Sequence, residues 1–160
     1  MNMDLAKREI TLRFLAEPTD ANFAGNVHGG IAMKWLDQAG YACATGWSGK
    51  YCITAFVGNI NFRQAIAVGH LIEINAKVIH TGNSSIHLAV NLSSGDTTST
   101  ELSKAMHCIM VFVAVDENRA PCQVPTWTAE SEEDLRLEKY AITIKDLHKA
   151  NKHELDLIMA

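Results

Sequence analysis

Four runs of alternating side chains, set behind one long apolar stretch of helical character, restrict the folds open to this chain more than any other feature. Thr54, Phe56, Gly58, Ile60 and Phe62 share one side of the first run, and Ile72, Ile74, Ala76 and Val78 one side of the second. Ile86, Leu88, Val90 and Leu92 form the third row, while Lys104 to Val115 reads as a strand that is apolar on both sides near its end. Period-2 alternation is the mark of strands with one face buried. An earlier run, residues 9–15, sets Ile10, Leu12 and Phe14 against Glu9, Thr11 and Arg13 and reads as a short first strand. Turn chemistry follows the helix at Gly49-Lys50 and separates the later runs at Gly69-His70, Gly82-Asn83 and Gly95-Asp96. The last three are short links between successive strands, which favour antiparallel neighbours, so the expected sheet is antiparallel with about five strands.

A single sheet has a face that must be covered. The stretch from about Val27 to Gly46 is the only early element able to cover it: on a helical wheel Ile31, Ala32, Trp35, Leu36, Ala39, Ala42 and Cys43 occupy one apolar arc. After Pro121 and Pro125 the composition shifts. Ser131-Glu132-Glu133-Asp134 is a capping-box start, and Leu137, Ala141, Ile144 and Leu155 predict an amphipathic helical tail that packs on the domain or on a neighbour. The fold class expected is α+β in a single domain. With 160 residues, 48% apolar and 20% charged, the chain is long enough to bury a real core.

Several function classes fall away on composition. The net charge of -4 comes without a basic run, which argues against nucleic acid as a partner. The N-terminus lacks an apolar export segment, and no window approaches the roughly 18 apolar residues of a membrane span. Four cysteines, Cys43, Cys52, Cys108 and Cys122, are scattered without a C-x-x-C pair, so reduced thiols and a cytoplasmic location are expected. His148 and His153 lie off the i, i+4 face that a metalloprotease helix uses, and no G-x-S-x-G is present. Neither a metal site nor a Ser or Cys nucleophile is expected.

Chemistry concentrates in GNVHGGIAMKWLDQAG, Gly25 to Gly40. Gly29 and Gly30 at a helix start cost about 2 kcal/mol together relative to Ala. Two readings account for them: bare backbone that lets a ligand reach the free N–H groups, or close packing of the helix start on the sheet. Asn26 suits the N-cap position, His28 suits a polar helix start, and Asp37 stands three residues after Lys34, a spacing that allows an exposed ion pair. On the wheel Asp37 lies at the border of the apolar arc, nearly in line with Gly30. Seven residues of rise separate the two by roughly 10 Å, too far for both to act on one carbonyl. A two-fold axis would bring Asp37 of one subunit beside Gly29 and Gly30 of another, giving two equivalent sites suited to acyl transfer to water.

The segments PTDANFAGNVHGG and KWLDQAG, followed by NINF and TGNSSI, resemble the hotdog-fold acyl-coenzyme A thioesterases of the cytosolic acyl-CoA hydrolase group. The resemblance spans residues 8–118 and implies a long central helix wrapped by an antiparallel sheet, leaving 126–160 as a C-terminal helical extension. It implies hydrolysis of acyl-CoA to free coenzyme A and a carboxylic acid, in hotdog dimers that commonly form a trimer of dimers. By position, Asp37 matches the helix acid that serves as general base or nucleophile, and Asn26 the asparagine that assists in the facing site. Gly29 and Gly30 match the glycines whose N–H groups hold the thioester oxygen, and His28 belongs to the same motif. Thr81, Gly82, Asn83, Ser84 and Ser85 match a coenzyme A-binding loop, in which many relatives carry Arg where this chain has Asn83. Arg63 and Lys104 are the alternative phosphate contacts. Asn61 and Phe62 line the expected pantetheine tunnel, although Phe62 also lies on a core row. The resemblance implies no required cofactor, coenzyme A being part of substrate and product. Two rivals keep the same pocket: a hotdog hydratase or dehydratase that would depend on His28, and a non-catalytic acyl-CoA-binding module that would tolerate loss of Asp37.

Overall fold

A computed structural model describes residues 8–160. β1 (Glu9–Leu15) leads through a 3-10 turn (Pro18–Asp20) to α1 (Gly29–Ser48). Then come β2 (Cys52–Phe62), β3 (Leu71–Thr81), β4 (Ser85–Gly95), β5 (Ser103–Ala114) and α2 (Glu132–Met159). The strands form one five-stranded antiparallel sheet in the order β1-β3-β4-β5-β2. The three central strands carry the predicted rows: Ile72, Ile74, Ala76 and Val78, then Ile86, Leu88, Val90 and Leu92, are all 0% exposed.

α1 lies on the face these rows present. Its buried residues Ala32, Leu36, Ala39, Cys43 and Ala44 recur at helical spacing. Small residues let it sit close: a Cβ at Gly40 would stand 2.8 Å from the Phe112 ring. The helix starts and stops two residues later than the expected Val27 to Gly46. His28 holds extended backbone and caps the first turn with its ring, and at the other end Gly49 takes a left-handed φ of 65°, which glycine adopts without strain.

Two expectations about the sheet need correction. Gly69-His70 does not join sheet neighbours, because β2 pairs with β5 at one edge while β3 lies beside β1. The connection crosses past the start of α1, where Val27 N–H donates to Ile66 O at 2.8 Å and Asn26 bridges Ala67. The alternating row of β2 is also broken, by register shifts between Thr54 and Phe56 and between Gly58 and Asn61. Phe62 is consequently 54% exposed and does not belong to the core.

α2 covers part of the opposite sheet face. Ser131 caps it by accepting from Asp134 N–H, and Ala141, fully buried, packs with Ile79, Ala89 and Ile109, flanked by Leu137, Tyr140 and Ile144. Arg8 ties the start of α2 back to the sheet by pairing with Asp134 and donating to Val78 O. Leu155, expected on the packing face, is 48% exposed, since residues 149–160 run on past the residues that pack on the sheet.

Candidate active site

The turn before α1 is built from its own polar groups. Asn22 Oδ1 accepts from Ala24 N–H at 2.9 Å and from Asn26 N–H at 3.2 Å, while Asn22 N–H donates to Asn26 O. This fixes Asn26 beside the helix start and removes it from the N-cap position expected for it. The cap is His28, whose Nδ1 accepts from Gly30 N–H at 3.0 Å. An Nδ1 that accepts leaves the ring proton of the neutral imidazole on Nε2.

The glycines now have separate roles. Gly30 N–H is engaged by its own cap, whereas Gly29 N–H has no acceptor among the described residues. A Cβ at Gly29 would meet the Phe62 ring at 3.6 Å, and one at Gly30 would meet His28 Nδ1 at 3.3 Å. The bare backbone thus faces two aromatic side chains at the helix start, a setting in which the unpaired N–H and the helix dipole favour developing negative charge.

A cavity opens on each side of this start. One, of about 370 Å³, is lined by Asn22, Asn26, Gly29, Phe62 and Arg63 among others. The second, also about 370 Å³, is lined by Gly30, Lys34 and Asp37 with an apolar wall of Met33, Leu36, Val57, Ile60 and Met110. Gly30 and Asp37 therefore share a face, as helical geometry predicts, but Asn26 and Arg63 open on the other cavity. Asp37 is half-buried, and its Oδ1 accepts from Thr54 Oγ1 of β2 at 2.8 Å. No Lys34 ion pair to Asp37 occurs among the described residues.

Thr54 is the site residue that sequence reasoning missed. The alternation of β2 sets it on the core row, yet it is exposed and donates to the acid. The adjoining thiol is no competitor as nucleophile: burial, and then the charge of Asp37, push Cys108 up to about 12. Burial, and secondarily Glu9, do the same to Cys43.

The loop Thr81 to Ser85 is only partly available. Thr81 Oγ1 accepts from Trp127 N–H at 2.9 Å, and Asn83 O accepts from Val124 N–H at 2.9 Å, so the chain leading to α2 pins it. Ser85 Oγ is turned to His87 Nε2, 3.3 Å away on the face under α2. That leaves the Asn83 and Ser84 side chains without partners among the described residues. Asn61 pairs with His107 across the β2–β5 ladder and is exposed. Arg63, also exposed, is held by Arg63 N–H donating to Ala105 O at 2.8 Å.

The thioesterase superfamily profile matches residues 24–101. An uncharacterized acyl-CoA thioester hydrolase from Zymomonas mobilis is 32% identical over 117 residues, covering 73% of this chain and 78% of that protein. Protein VdlD from Helicobacter pylori is 30% identical over 158 residues, covering 95% and 90%. Among solved structures, a hexameric acyl-CoA thioesterase superposes with a TM-score of 0.86 at 26% identity, covering 92% of this chain and 95% of its own. The motif around Gly29, Gly30 and Asp37, the helix-on-sheet architecture and these likenesses agree, and the chain belongs to the hotdog-fold acyl-CoA thioesterase family.

Proposed function

We propose that this protein hydrolyses acyl-CoA thioesters to coenzyme A and a carboxylic acid, in a site completed by a second copy of the chain. The observation that carries this reading is the division of the parts. Gly30 and Asp37 open on one cavity and Asn26, Gly29 and Arg63 on another, so neither cavity holds both the acid and the unpaired Gly29 N–H. A two-fold partner that lays its Asp37 beside Gly29 supplies what each half lacks.

In that arrangement Gly29 N–H stabilises the oxyanion as the thioester carbonyl becomes tetrahedral. The Asp37 carboxylate, with Oδ1 held by Thr54 and Oδ2 without a partner among the described residues, takes a proton from the attacking water or attacks the carbonyl itself. The carbon–sulfur bond then breaks: in the first route Asp37 passes the water's proton to the departing sulfur, and in the second coenzyme A leaves as the thiolate, takes a proton from solvent, and water hydrolyses the acyl–Asp37 anhydride to release the acid. Asn26 orients water or the thioester, and Arg63, Asn83 and Ser84 contact the coenzyme A portion, with Lys104 as a further cation for its phosphates. Residues 8–118 form the catalytic unit and 126–160 the extension. The full assembly is a trimer of dimers, as befits a chain that superposes on a hexameric thioesterase. Among the described residues no helix is long and apolar enough to cross a membrane, and the likeness to cytosolic acyl coenzyme A thioester hydrolases of rat and mouse supports a cytoplasmic location.

The test is thiol release from a panel of acyl-CoAs by the wild type, Asp37→Asn, Asn26→Ala and His28→Ala. Asp37→Asn should lose about 100- to 10,000-fold in kcat, the usual share of a general base. Turnover near wild type in that variant overturns the mechanism. The hydratase alternative requires the His28 imidazole for proton transfer, so hydration of an enoyl-CoA that is lost in His28→Ala would favour it over hydrolysis.

A further inference from the structure

A third cavity, of about 240 Å³, lies on the sheet face opposite α1, where the middle of α2 crosses β4 and β5. Its walls are apolar at Ile109, Val111 and Ile144, and its polar lining includes Ser85, His87 and Lys145. Among the described residues no carboxylate lines it. His87 is 3% exposed, and its Nδ1 has no hydrogen-bond partner among the described residues. An unpaired polar atom at that depth costs about 1–3 kcal/mol, so it calls for an occupant.

Ser85 Oγ and His87 Nε2 stand 3.3 Å apart. If the hydroxyl donates, the ring proton sits on Nδ1 and that N–H is unspent; if Nε2 donates, the hydroxyl proton is unspent. Either tautomer therefore leaves the pair one free donor. Burial, followed by the charges of His80 and Lys145, pushes His87 down to about 4, so near neutral pH that ring adds no charge, and Lys145 supplies an ammonium to a lining that also includes the His148 ring. One ammonium and one free donor match the two oxygens of a monoanion, and the apolar walls ask for a hydrocarbon body. Few convergent polar groups in an otherwise apolar concavity is the usual form of a small-molecule site.

We propose that this cavity between α2 and the outer sheet face binds a small aliphatic carboxylate, its head between Lys145 and the Ser85–His87 pair and its chain against Ile109, Val111 and Ile144. The sheet separates it from both cavities at the start of α1, so the proposal stands independently of the proposed hydrolysis.

Hexanoate, titrated into the whole protein and followed by methyl NMR, tests this. It should shift the Ile109, Val111 and Ile144 methyls saturably, in the wild type and in Asp37→Asn alike. Ile144→Trp, which fills the cavity, should abolish the shifts at Ile109 and Val111. Lys145→Ala, an exposed change that leaves the core untouched, should weaken Kd about two- to fivefold. His87→Phe should weaken it by about tenfold or more. The proposal is overturned by absence of saturation at millimolar hexanoate, by unchanged affinity in Ile144→Trp, or by hexanol binding as well as hexanoate. Because the readout is binding, failure of the thiol-release experiment leaves this result intact.

Discussion

Among the described residues one side chain hydrogen-bonds to Asp37, and it comes from another element. Thr54 Oγ1 reaches Oδ1 at 2.8 Å from a strand that begins beyond the end of α1. A bond to a charged acceptor is worth about 1.5–3 kcal/mol when well buried, and this exposed one should lie at the low end. Thr54→Val should therefore lower kcat about tenfold while leaving KM nearly unchanged, because the side chain positions the acid rather than the substrate. Thr54→Ser should restore most of the rate. An effect confined to KM, or no rescue by Ser, would show that Thr54 has another role. The acid itself was legible because helix periodicity is local: Gly30 and Asp37 share a face by geometry alone. Thr54 was not, since a bulged strand had to bring it across 17 residues of chain. His28 was assigned to the helix start, but its ring takes the cap that composition rules give to Asn26, whose backbone is engaged by Asn22.

Among elements, the central strands were the most readable, since full burial on one face leaves an unbroken apolar row. β2 was the least, as an edge strand with two register shifts no longer alternates, and the neighbour of each strand depends on a crossover that turn residues do not reveal. α2 was foreseen by its capping sequence, yet its docking uses titratable groups that no periodicity identifies. His87 beneath it faces His80, ring centroids 5.0 Å apart, and Lys145 from α2, while Glu138 of α2 pairs with His80. Its folded pKa is about 4 against 6.5 in the free side chain. Between those values the unfolded chain binds the extra proton, so stability is present above about pH 6.5 and is lost as the pH falls toward 4. The loss at full shift is about 3 kcal/mol, and His87→Gln should remove that part of the slope in urea unfolding between neutral and acid pH. An identical slope in both proteins would mean that His87 does not charge on unfolding. Asp134, held low chiefly by its hydrogen bond from Arg8, gives way only at pH below the usual carboxylate range, so the two effects are separable.

At the scale of the whole molecule, one chain presents two incomplete halves, and the division between them makes a quantitative claim about assembly. Asp37→Asn and Asn26→Ala should each be inactive alone. Mixed one to one with free exchange, half of the dimers pair unlike subunits. In each mixed dimer one site combines intact Asn26 from one chain with intact Asp37 from the other, while its mate carries both lesions. About a quarter of all sites are then whole, so thiol release should recover to about a quarter of wild type. If both residues served a site within one chain, every site in the mixture would carry a lesion and no activity would return, even where native mass spectrometry shows mixed dimers. The same experiment reports on the crossover between β2 and β3, which carries Arg63 and anchors Asn26 to Ala67 at the helix start. Recovery at that level would mean that Asn26, held beside the helix start by this connection, serves the partner's site across the two-fold axis, a consequence of assembly that the residues of either half do not disclose alone.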